Sequence, residues 1–174
     1  MTDALPDILA KNLAVIFCGI NPGRTAAVAG RHFVSGTNRF WRVLHLSGFT
    51  PEQISPENDR SILNYGYGLT TAVARPTRRA SDLSRAELAL VGTAFERKIA
   101  GFAPRHVAFL GKMAYAAIVG NADVQWGRQP LPFAGALVWL LPNPSGLNRN
   151  FTLDSLVSAY REMRVAVAAG EARP

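Results

Sequence analysis

Two Asn-Pro loops hold most of the residues that could do chemistry in this chain. The first is Gly19-Ile20-Asn21-Pro22-Gly23, and the second spans residues 143–149. Each follows an apolar run, residues 13–18 or 136–141, that is typical of a buried strand. Loops at the carboxyl ends of parallel strands line the binding crevice of an open α/β sheet. The two loops are therefore expected to form one composite site.

Basic residues surround both loops. The chain has a formal net charge of +7 and a pI near 10.3. Residues 8–51 contain no Asp or Glu but several arginines, and residues 124–153 also lack acids while holding Arg128 and Arg149. Such a surface is typical of proteins that bind a polyanion. An arginine excess from codon bias is the alternative, although it does not explain why both loops lie in acid-free stretches.

Length and composition restrict the class of protein. At 174 residues and 48% hydrophobic, the chain predicts one domain over residues 1–174, with peripheral tails at 1–10 and 168–174. No apolar run approaches the roughly 18 residues of a membrane span, and no signal-peptide pattern is present. The lone Cys18 excludes an intramolecular disulfide framework and disfavours a multi-cysteine metal site. A monomer in a reducing cytoplasm is expected.

Apolar periodicity predicts alternating strands and helices. Strands are expected at residues 13–20, 68–74, 106–110 and 136–141, and helices at 38–48, 55–63, 84–101, 112–119 and 152–168. Such alternation is typical of a parallel sheet with helices on both faces. The chain therefore predicts an α/β fold, a single three-layer α/β/α sandwich with a short, mainly parallel central sheet.

Several sequence blocks together resemble one known family. FCGINPG, NRFW, RPT, LGK, QWG and LPNPSGLNR occur in this order over roughly residues 13–165, and they resemble the mismatch-specific uracil-DNA glycosylases, bacterial relatives of thymine-DNA glycosylase. The resemblance implies a three-layer α/β/α fold and action on double-stranded DNA that contains a mismatched or damaged base. It implies hydrolysis of the bond between deoxyribose and a flipped-out base, classically uracil opposite guanine, with no metal or organic cofactor.

The first loop is expected to form the base pocket. The resemblance makes Asn21 the residue that holds the attacking water and Phe33 the aromatic side chain that stacks on the flipped base. An asparagine amide orients water but is a poor general base, so cleavage must be dissociative, with uracil leaving as a delocalised anion. The other expected pocket residues are Gly19, Ile20, Pro22, Gly23, Ala26 and Asn38. A turn role for Asn21 and a helix-cap role for Asn38 stay open.

The second loop is expected to be a wedge that replaces the flipped base in the duplex. Leu147 is the apolar plug, Gly146 permits close backbone approach, and Arg149 reaches the widowed guanine or a phosphate. In the resembled family the wedge backbone also pairs with that guanine, which favours G·U over A·U sites. The residues assigned to the wedge and to mismatch recognition are Asn143, Pro144, Ser145, Gly146, Leu147, Asn148 and Arg149. A generic Pro-Ser-Gly turn is the alternative.

Other residues have competing assignments. Asp82 is either a carboxylate that stabilises the sugar cation or activates water, or a cap of the helix that follows it. Arg39 and Lys112 are candidate phosphate contacts, and Lys112 also lies at a helix N-terminus. His32 is expected to be a solvated loop histidine, with a phosphate or pocket role as the alternative. Ala26 stands where the family's bacterial type member has serine and thymine-active relatives have alanine, which would leave room beside base C5.

The resulting hypothesis is a monofunctional DNA glycosylase. The two motif loops contain no lysine that could form a Schiff base with the sugar. Uracil opposite guanine is the expected lesion, with thymine, ethenocytosine and other modified bases as further candidates. The alternative hypothesis is a non-catalytic protein that binds mismatched or abasic DNA through the same wedge and pocket.

Overall fold

A five-stranded sheet forms the centre of the protein. The computed structural model describes residues 4–170. The strands are β1 (Val15–Gly19), β2 (Tyr67–Thr71), β3 (His106–Leu110), β4 (Gly127–Arg128) and β5 (Leu137–Leu141). Their spatial order is β2-β1-β3-β5-β4, with parallel pairing throughout except for the antiparallel edge strand β4.

Helices cover both faces of the sheet. The α-helices are α1 (Arg24–Ala29), α2 (Phe40–Leu46), α3 (Arg85–Leu90), α4 (Gly92–Phe102), α5 (Lys112–Val119) and α6 (Leu153–Ala168). Two 3₁₀ helices cover Pro56–Tyr65 and Ala80–Asp82. No helix between residues 4 and 170 is long and apolar enough to cross a bilayer.

The core has two halves because successive strand residues point to opposite faces of the sheet. Phe17 packs on one face with Phe40 of α2 and Tyr160 of α6. Ile16 packs on the other face, in the cluster that includes Leu88 of α3 and the side chains of α4 and α5. Every residue of the four parallel strands is buried, which explains the continuous apolar sequences of β1 and β5. The predicted three-layer, mainly parallel α/β/α sandwich is confirmed.

Several predicted elements differ in detail. The helix expected at 84–101 is divided at Val91 into α3 and α4, where the chain bends and α3 packs against α5. The helix expected at 55–63 is the 3₁₀ helix Pro56–Tyr65. Helix α1 was not expected because none of its residues is buried, so it has no apolar periodicity to detect.

Residues 4–10, predicted to be part of a peripheral tail, pack against β2 instead. Ile8 is 2% exposed and exchanges two backbone hydrogen bonds with Leu69. The Asp7 carboxylate accepts hydrogen bonds from Thr70 Oγ1 and Lys98 Nζ. Gly68 makes this close approach possible, because a Cβ there would lie 2.7 Å from the Ile8 carbonyl oxygen. Residues 168–170 of the other predicted tail form the end of α6 and the turn after it, and residues 1–3 and 171–174 lie outside the described residues.

Candidate active site

A cleft of about 450 Å³ opens at the carboxyl ends of the parallel strands. Its floor includes the last residues of three strands, Gly19 of β1, Thr71 of β2 and Leu110 of β3. Asn143, just after β5, completes the same edge. Because these strands run parallel, the loops that follow them converge on one crevice.

The structure brings the two Asn-Pro loops together across this cleft. The residues expected from the sequence that line it are Gly19, Ile20, Asn21, Pro22, Gly23, Ala26, Phe33, Asn38, Asn143, Ser145, Gly146 and Leu147. Pro144, Asn148 and Arg149 belong to the second loop without lining the cleft. The cleft also contains Thr77 of the RPT block and Arg24 of the first acid-free stretch. Among the lining residues that the sequence did not single out are Thr37, Arg78 and Arg79.

The Asn21 side chain is held in one orientation. Its Nδ2 donates to the Arg75 carbonyl oxygen and to Thr77 Oγ1, each at 2.8 Å. The carbonyl can only accept, and the Thr77 hydroxyl already donates its proton to the Arg79 carbonyl at 2.7 Å. Both partners therefore require the NH₂ group, which assigns the amide without ambiguity between nitrogen and oxygen.

This arrangement leaves the Asn21 Oδ1 as an acceptor for a ligand. Asn21 lines the cleft and is only partly buried, and within residues 4–170 its Oδ1 has no protein partner. A water in the cleft could donate a hydrogen bond to this oxygen and direct a lone pair elsewhere. The amide itself cannot remove the proton of that water at neutral pH. The site is thus suited to positioning a nucleophile and not to deprotonating it.

Phe33 forms an aromatic wall of the cleft. It stacks on Phe40 with ring centroids 4.0 Å apart and an interplanar angle of 24°, and it also lines the cleft. Its backbone has a φ of 54°, in the left-handed region that a bulky residue seldom adopts. The ring lies between Phe40 and the cleft. A planar base could stack on the partly exposed ring.

His32 is fixed and buried against the cleft, so the prediction of a solvated loop histidine is wrong and its alternative place in the pocket is the one observed. It is 2% exposed, and its Nε2 lies 2.8 Å from the Pro6 carbonyl oxygen. A carbonyl can only accept, so Nε2 carries the proton. Burial lowers the pKa of His32 below its ordinary value, which keeps the ring neutral. The sequence offered no sign of this because residues 4–10 were not expected to pack.

Asp59 supports the same wall from behind. Its carboxylate accepts hydrogen bonds from the His32 backbone nitrogen and from Arg31 Nη1, each at 3.0 Å, and its side chain is 2% exposed. Trp41 Nε1 donates to the His32 carbonyl at 3.1 Å. These contacts hold the backbone on the Phe33 side of the cleft. No motif marks Asp59, which lies in a 3₁₀ helix far away in sequence.

Asn38 both lines the cleft and caps helix α2. Its Oδ1 accepts a hydrogen bond from the Phe40 backbone nitrogen at 2.9 Å. The two assignments left open by the sequence are therefore compatible at this residue. The Asn38 Oδ1 is used by the Phe40 backbone nitrogen, while Asn38 as a residue remains part of the cleft wall.

The second loop, residues 143–149, is a compact turn with an exposed apolar tip. Asn143 Oδ1 accepts from the Ser145 nitrogen at 2.9 Å, and Asn148 Nδ2 donates to the Asn143 carbonyl at 3.0 Å. Leu147 is 71% exposed at the tip, where its side chain has no core to enter. Gly146 lies so close to Thr37 that a Cβ there would be 2.6 Å from Thr37 Cβ. We call residues 143–149 the wedge loop below.

Arg39 binds the wedge loop, and its geometry does not support the predicted phosphate contact. Its guanidinium donates to four backbone carbonyl groups, and it lies at the start of α2. A group with one remaining N–H has little capacity for a phosphate.

Lys112 remains a candidate phosphate contact, although the structure also gives it a protein partner. Its Nζ lies 4.8 Å from the centroid of the Trp126 ring, a cation–π contact. Trp126 is 43% exposed and meets Phe151 edge to face at 5.5 Å. The QWG block thus places an exposed aromatic side chain beside the end of the wedge loop.

Asp82 is a cap, but not of the element that the sequence indicated. Its Oδ2 accepts from the Arg79 backbone nitrogen at 3.0 Å and closes the 3₁₀ helix Ala80–Asp82. The following helix α3 is capped by Ser84, whose Oγ accepts from the Glu87 nitrogen. Asp82 is exposed and does not line the cleft. This geometry does not support a catalytic role for its carboxylate.

Acidic groups are scarce around the cleft. None of the residues that line it is an Asp or Glu, whereas Arg24, Arg78 and Arg79 are exposed at its rim. Among residues 4–170, no three His, Cys, Asp or Glu side chains are grouped so that they could hold a metal ion. The rim is suited to a polyanionic ligand whose uncharged part enters the cleft.

A solved structure shares this fold. The solution NMR structure of a candidate uracil DNA glycosylase from Methanosarcina acetivorans has a TM-score of 0.61 with this protein at 17% sequence identity. The match covers 94% of this chain and 98% of that chain. At this identity the likeness establishes the fold alone.

The family is established by the sequence as a whole. A model of the uracil DNA glycosylase superfamily matches residues 6–164, a span that contains both Asn-Pro loops and every strand of the sheet. The chain therefore belongs to the uracil DNA glycosylase superfamily.

Proposed function

We propose that this protein is a monofunctional DNA glycosylase of the mismatch-specific type, which removes uracil from duplex DNA, preferably opposite guanine. The observation that carries this proposal is the fixed Asn21 amide, whose oxygen is left for a ligand in a cleft bordered by the exposed Leu147. One loop can position a water, and the other can occupy the space that an extruded base leaves.

The chemistry follows from what Asn21 can and cannot do. The bond between sugar C1′ and uracil N1 breaks first, and its electron pair leaves with the base as a delocalised anion. Water held by Asn21 Oδ1 then adds its oxygen to the cationic C1′ and releases a proton to solvent, where the uracil anion is reprotonated. This order needs no strong base, because a sugar cation is attacked readily by neutral water.

The uracil ring is proposed to stack on Phe33 in the cleft. Phe33 offers a partly exposed ring face beside the first loop, with Phe40 stacked behind it. The carbonyl oxygens of Gly19 and Ile20 already accept from the Ala72 and Val73 nitrogens. The backbone N–H groups of Ile20 and Phe33, two residues that line the same space, are therefore the proposed donors to the polar edge of the base. Ala26 also lines the cleft, and its small side chain supports a site that tolerates a substituent at base C5. Thymine and ethenocytosine are therefore included among the proposed substrates.

The wedge loop supports a preference for guanine in the opposite strand. Within residues 4–170, the carbonyl groups of Gly146 and Leu147 accept no hydrogen bond. Guanine presents two N–H donors on its pairing edge, whereas adenine presents one. Backbone acceptors at the tip of the wedge loop would bind an unpaired guanine better than an unpaired adenine.

A single-turnover excision assay tests the proposal. End-labelled duplexes with G·U, A·U or G·T pairs, and single-stranded DNA with uracil, are incubated with excess protein and treated with alkali to cut abasic sites. Cleavage of G·U faster than A·U is expected. Asn21→Ala should reduce the rate by at least about a hundredfold, because it removes the group that positions the nucleophile.

The control for Asn21→Ala is Asn121→Ala, on an exposed turn after α5. It should excise uracil at the wild-type rate. Binding of a G·U duplex without excision by the wild type would refute the glycosylase and support a non-catalytic mismatch-binding protein. Equal rates on G·U and A·U would refute the mismatch preference alone.

A further inference from the structure

Arg39 makes an unusual number of bonds to one loop. Its Nε donates to the Pro144 carbonyl at 3.3 Å, and its Nη1 donates to the Phe151 carbonyl at 2.7 Å. Its Nη2 donates to the carbonyls of Ser145 at 3.0 Å and Asn148 at 2.9 Å. The Arg39 backbone nitrogen also donates to the Pro144 carbonyl at 3.0 Å. One residue at the start of α2 thus binds both ends of the wedge loop.

We propose that Arg39 is a positioning residue that holds the wedge loop in the shape in which Leu147 can enter a duplex. The inference rests on the proposed function, and it adds a requirement specific to double-stranded substrates. Arg39 does not itself line the cleft, so it acts on the DNA through the loop.

The physical argument begins with the carbonyl groups. Four backbone oxygens turned toward one point repel one another unless a cation with several donors lies between them. The guanidinium is planar and has five N–H groups in a fixed fork, of which four are used here. A lysine ammonium has the same charge, but its donors are all on one nitrogen. That single nitrogen cannot lie within hydrogen-bond distance of four carbonyl oxygens that are spread around a guanidinium.

The consequence concerns the entropy of DNA binding. A loop that is already ordered in the free protein pays its conformational cost during folding and not during insertion into DNA. The loop has a second anchor, since the buried Tyr160 hydroxyl donates to the Pro142 carbonyl at 3.1 Å. Loss of Arg39 should therefore release the tip of the wedge loop while leaving its entry from β5 in place.

A phosphate contact is the rival role for Arg39, and the two make opposite predictions. A phosphate contact depends on charge, so lysine should substitute, and neutralising the residue should lower the salt dependence of DNA binding by about one counterion. A clamp depends on geometry, so lysine should fail and the salt dependence should stay unchanged.

The test compares Arg39→Lys and Arg39→Gln with the wild type. The control is Arg161→Gln on α6, which also loses one charge and one arginine-to-carbonyl contact, to Leu46, outside the cleft. Single-turnover excision is measured on G·U duplex and on single-stranded uracil DNA. Both Arg39 variants are expected to lose at least about tenfold on the duplex and to stay within about twofold on the single strand, where no base stack must be opened.

A second readout needs no catalysis. Binding to a duplex with a tetrahydrofuran abasic analogue opposite guanine is titrated at several salt concentrations, with 2-aminopurine beside the lesion to report unstacking. The Arg39 variants are expected to bind more weakly, with a smaller fluorescence rise and an unchanged salt slope.

The outcomes separate the two hypotheses. A duplex rate retained in Arg39→Lys but lost in Arg39→Gln would overturn the clamp in favour of charge, as would a lower salt slope. The clamp would also be overturned if the Arg39 variants lost excision rate equally on duplex and single-stranded DNA. The same holds if Arg161→Gln lost as much duplex rate as the Arg39 variants. A wild type that binds the abasic duplex but excises no uracil would refute the proposed glycosylase, while weaker binding by the Arg39 variants would still support the clamp.

Discussion

At the residue scale, the orientation of one amide decides what the cleft can do. Asn21 could present either its oxygen or its NH₂ group to a ligand. The oxygen accepts a hydrogen bond from a water and leaves a water lone pair free to attack, whereas the NH₂ group donates to a water lone pair. The Thr77 hydroxyl settles the choice, because its donation to the Arg79 carbonyl obliges it to accept from Asn21 Nδ2. Together with the Arg75 carbonyl, it leaves Oδ1 for the nucleophile. Thr77 is 5% exposed, so solvent competes little for these bonds.

Thr77→Val should slow excision without weakening DNA binding. The substitution keeps the shape of the side chain but removes the acceptor, so the Asn21 amide can rotate and its oxygen is no longer held. A loss of about tenfold in single-turnover rate is expected, because a tenfold change corresponds to about the net free energy of one hydrogen bond. Thr77→Ser, which keeps the hydroxyl, should restore most of the rate.

Thr93→Val, at an exposed position of α4, is the matched control and should behave as wild type. The role assigned to Thr77 would be contradicted by a valine variant with the normal rate, or by one that loses affinity for an abasic duplex in proportion to its rate.

At the scale of elements, the wedge loop depends on contacts with the segment that precedes α2. Arg39 binds its carbonyls, and Thr37 lies against Gly146. The approach is closer than any side chain permits, since a Cβ on Gly146 would also lie 2.7 Å from the Thr37 carbonyl oxygen. Glycine is required here for close packing and not for an unusual backbone angle, because Gly146 has no positive φ.

Gly146→Ala should therefore displace the tip of the wedge loop. The backbone oxygen of Thr37 cannot move aside as a flexible side chain could, so the loop must shift by several tenths of an ångström. Excision from a G·U duplex is expected to fall by about tenfold or more, with a smaller effect on single-stranded DNA.

Gly36→Ala tests whether any added methyl in this region has the same effect. A Cβ on Gly36 would have no neighbour within 4 Å, and its φ is not positive. Normal duplex activity is expected for this variant. The packing argument would fail if Gly146→Ala and Gly36→Ala had the same activity.

At the scale of the whole molecule, the two-sided burial of the sheet places a histidine in the core. His106 begins β3, is fully buried, and neither ring nitrogen has a partner among the described residues. Burial, and to a lesser degree the charges of Arg105 and Arg128, lowers the pKa of His106 from 6.5 to about 4. The folded protein therefore holds this ring neutral, whereas the unfolded chain protonates it near its ordinary pKa.

Stability should fall as the pH drops from about 6.5 toward 4. Over this window the unfolded state binds a proton that the folded state rejects, so the free energy of unfolding decreases with falling pH. The largest contribution of His106 is on the order of 3 kcal/mol. Urea denaturation at a series of pH values measures it.

His106→Leu should flatten this pH dependence, because the residue no longer titrates. A residual slope is expected from His32, whose pKa is also lowered by burial. An unchanged slope in His106→Leu would show that the ring is not kept neutral by the fold.

The sequence by itself determined the architecture and showed that the two Asn-Pro loops belong to one site. Residues 13–18 and 136–141 show no alternation of apolar and polar residues and are apolar throughout, as is typical of strands covered on both faces. The parallel sheet then places residues 19–23 and 143–149 at one edge, so Asn21 and Leu147 could be predicted to border a common cleft. Both signals are local in sequence, and the topology of a parallel sheet makes them meet.

The tertiary structure alone decided which polar groups are committed to the fold. Arg39 has the same charge as a phosphate-binding arginine, and only its distance to four carbonyls reveals the clamp. Asp82 caps a 3₁₀ helix, and His32 is buried by a segment that carries no motif. Hydrogen-bond partners distant in sequence leave no periodic pattern, because a donor requires only a nearby backbone oxygen and any residue supplies one.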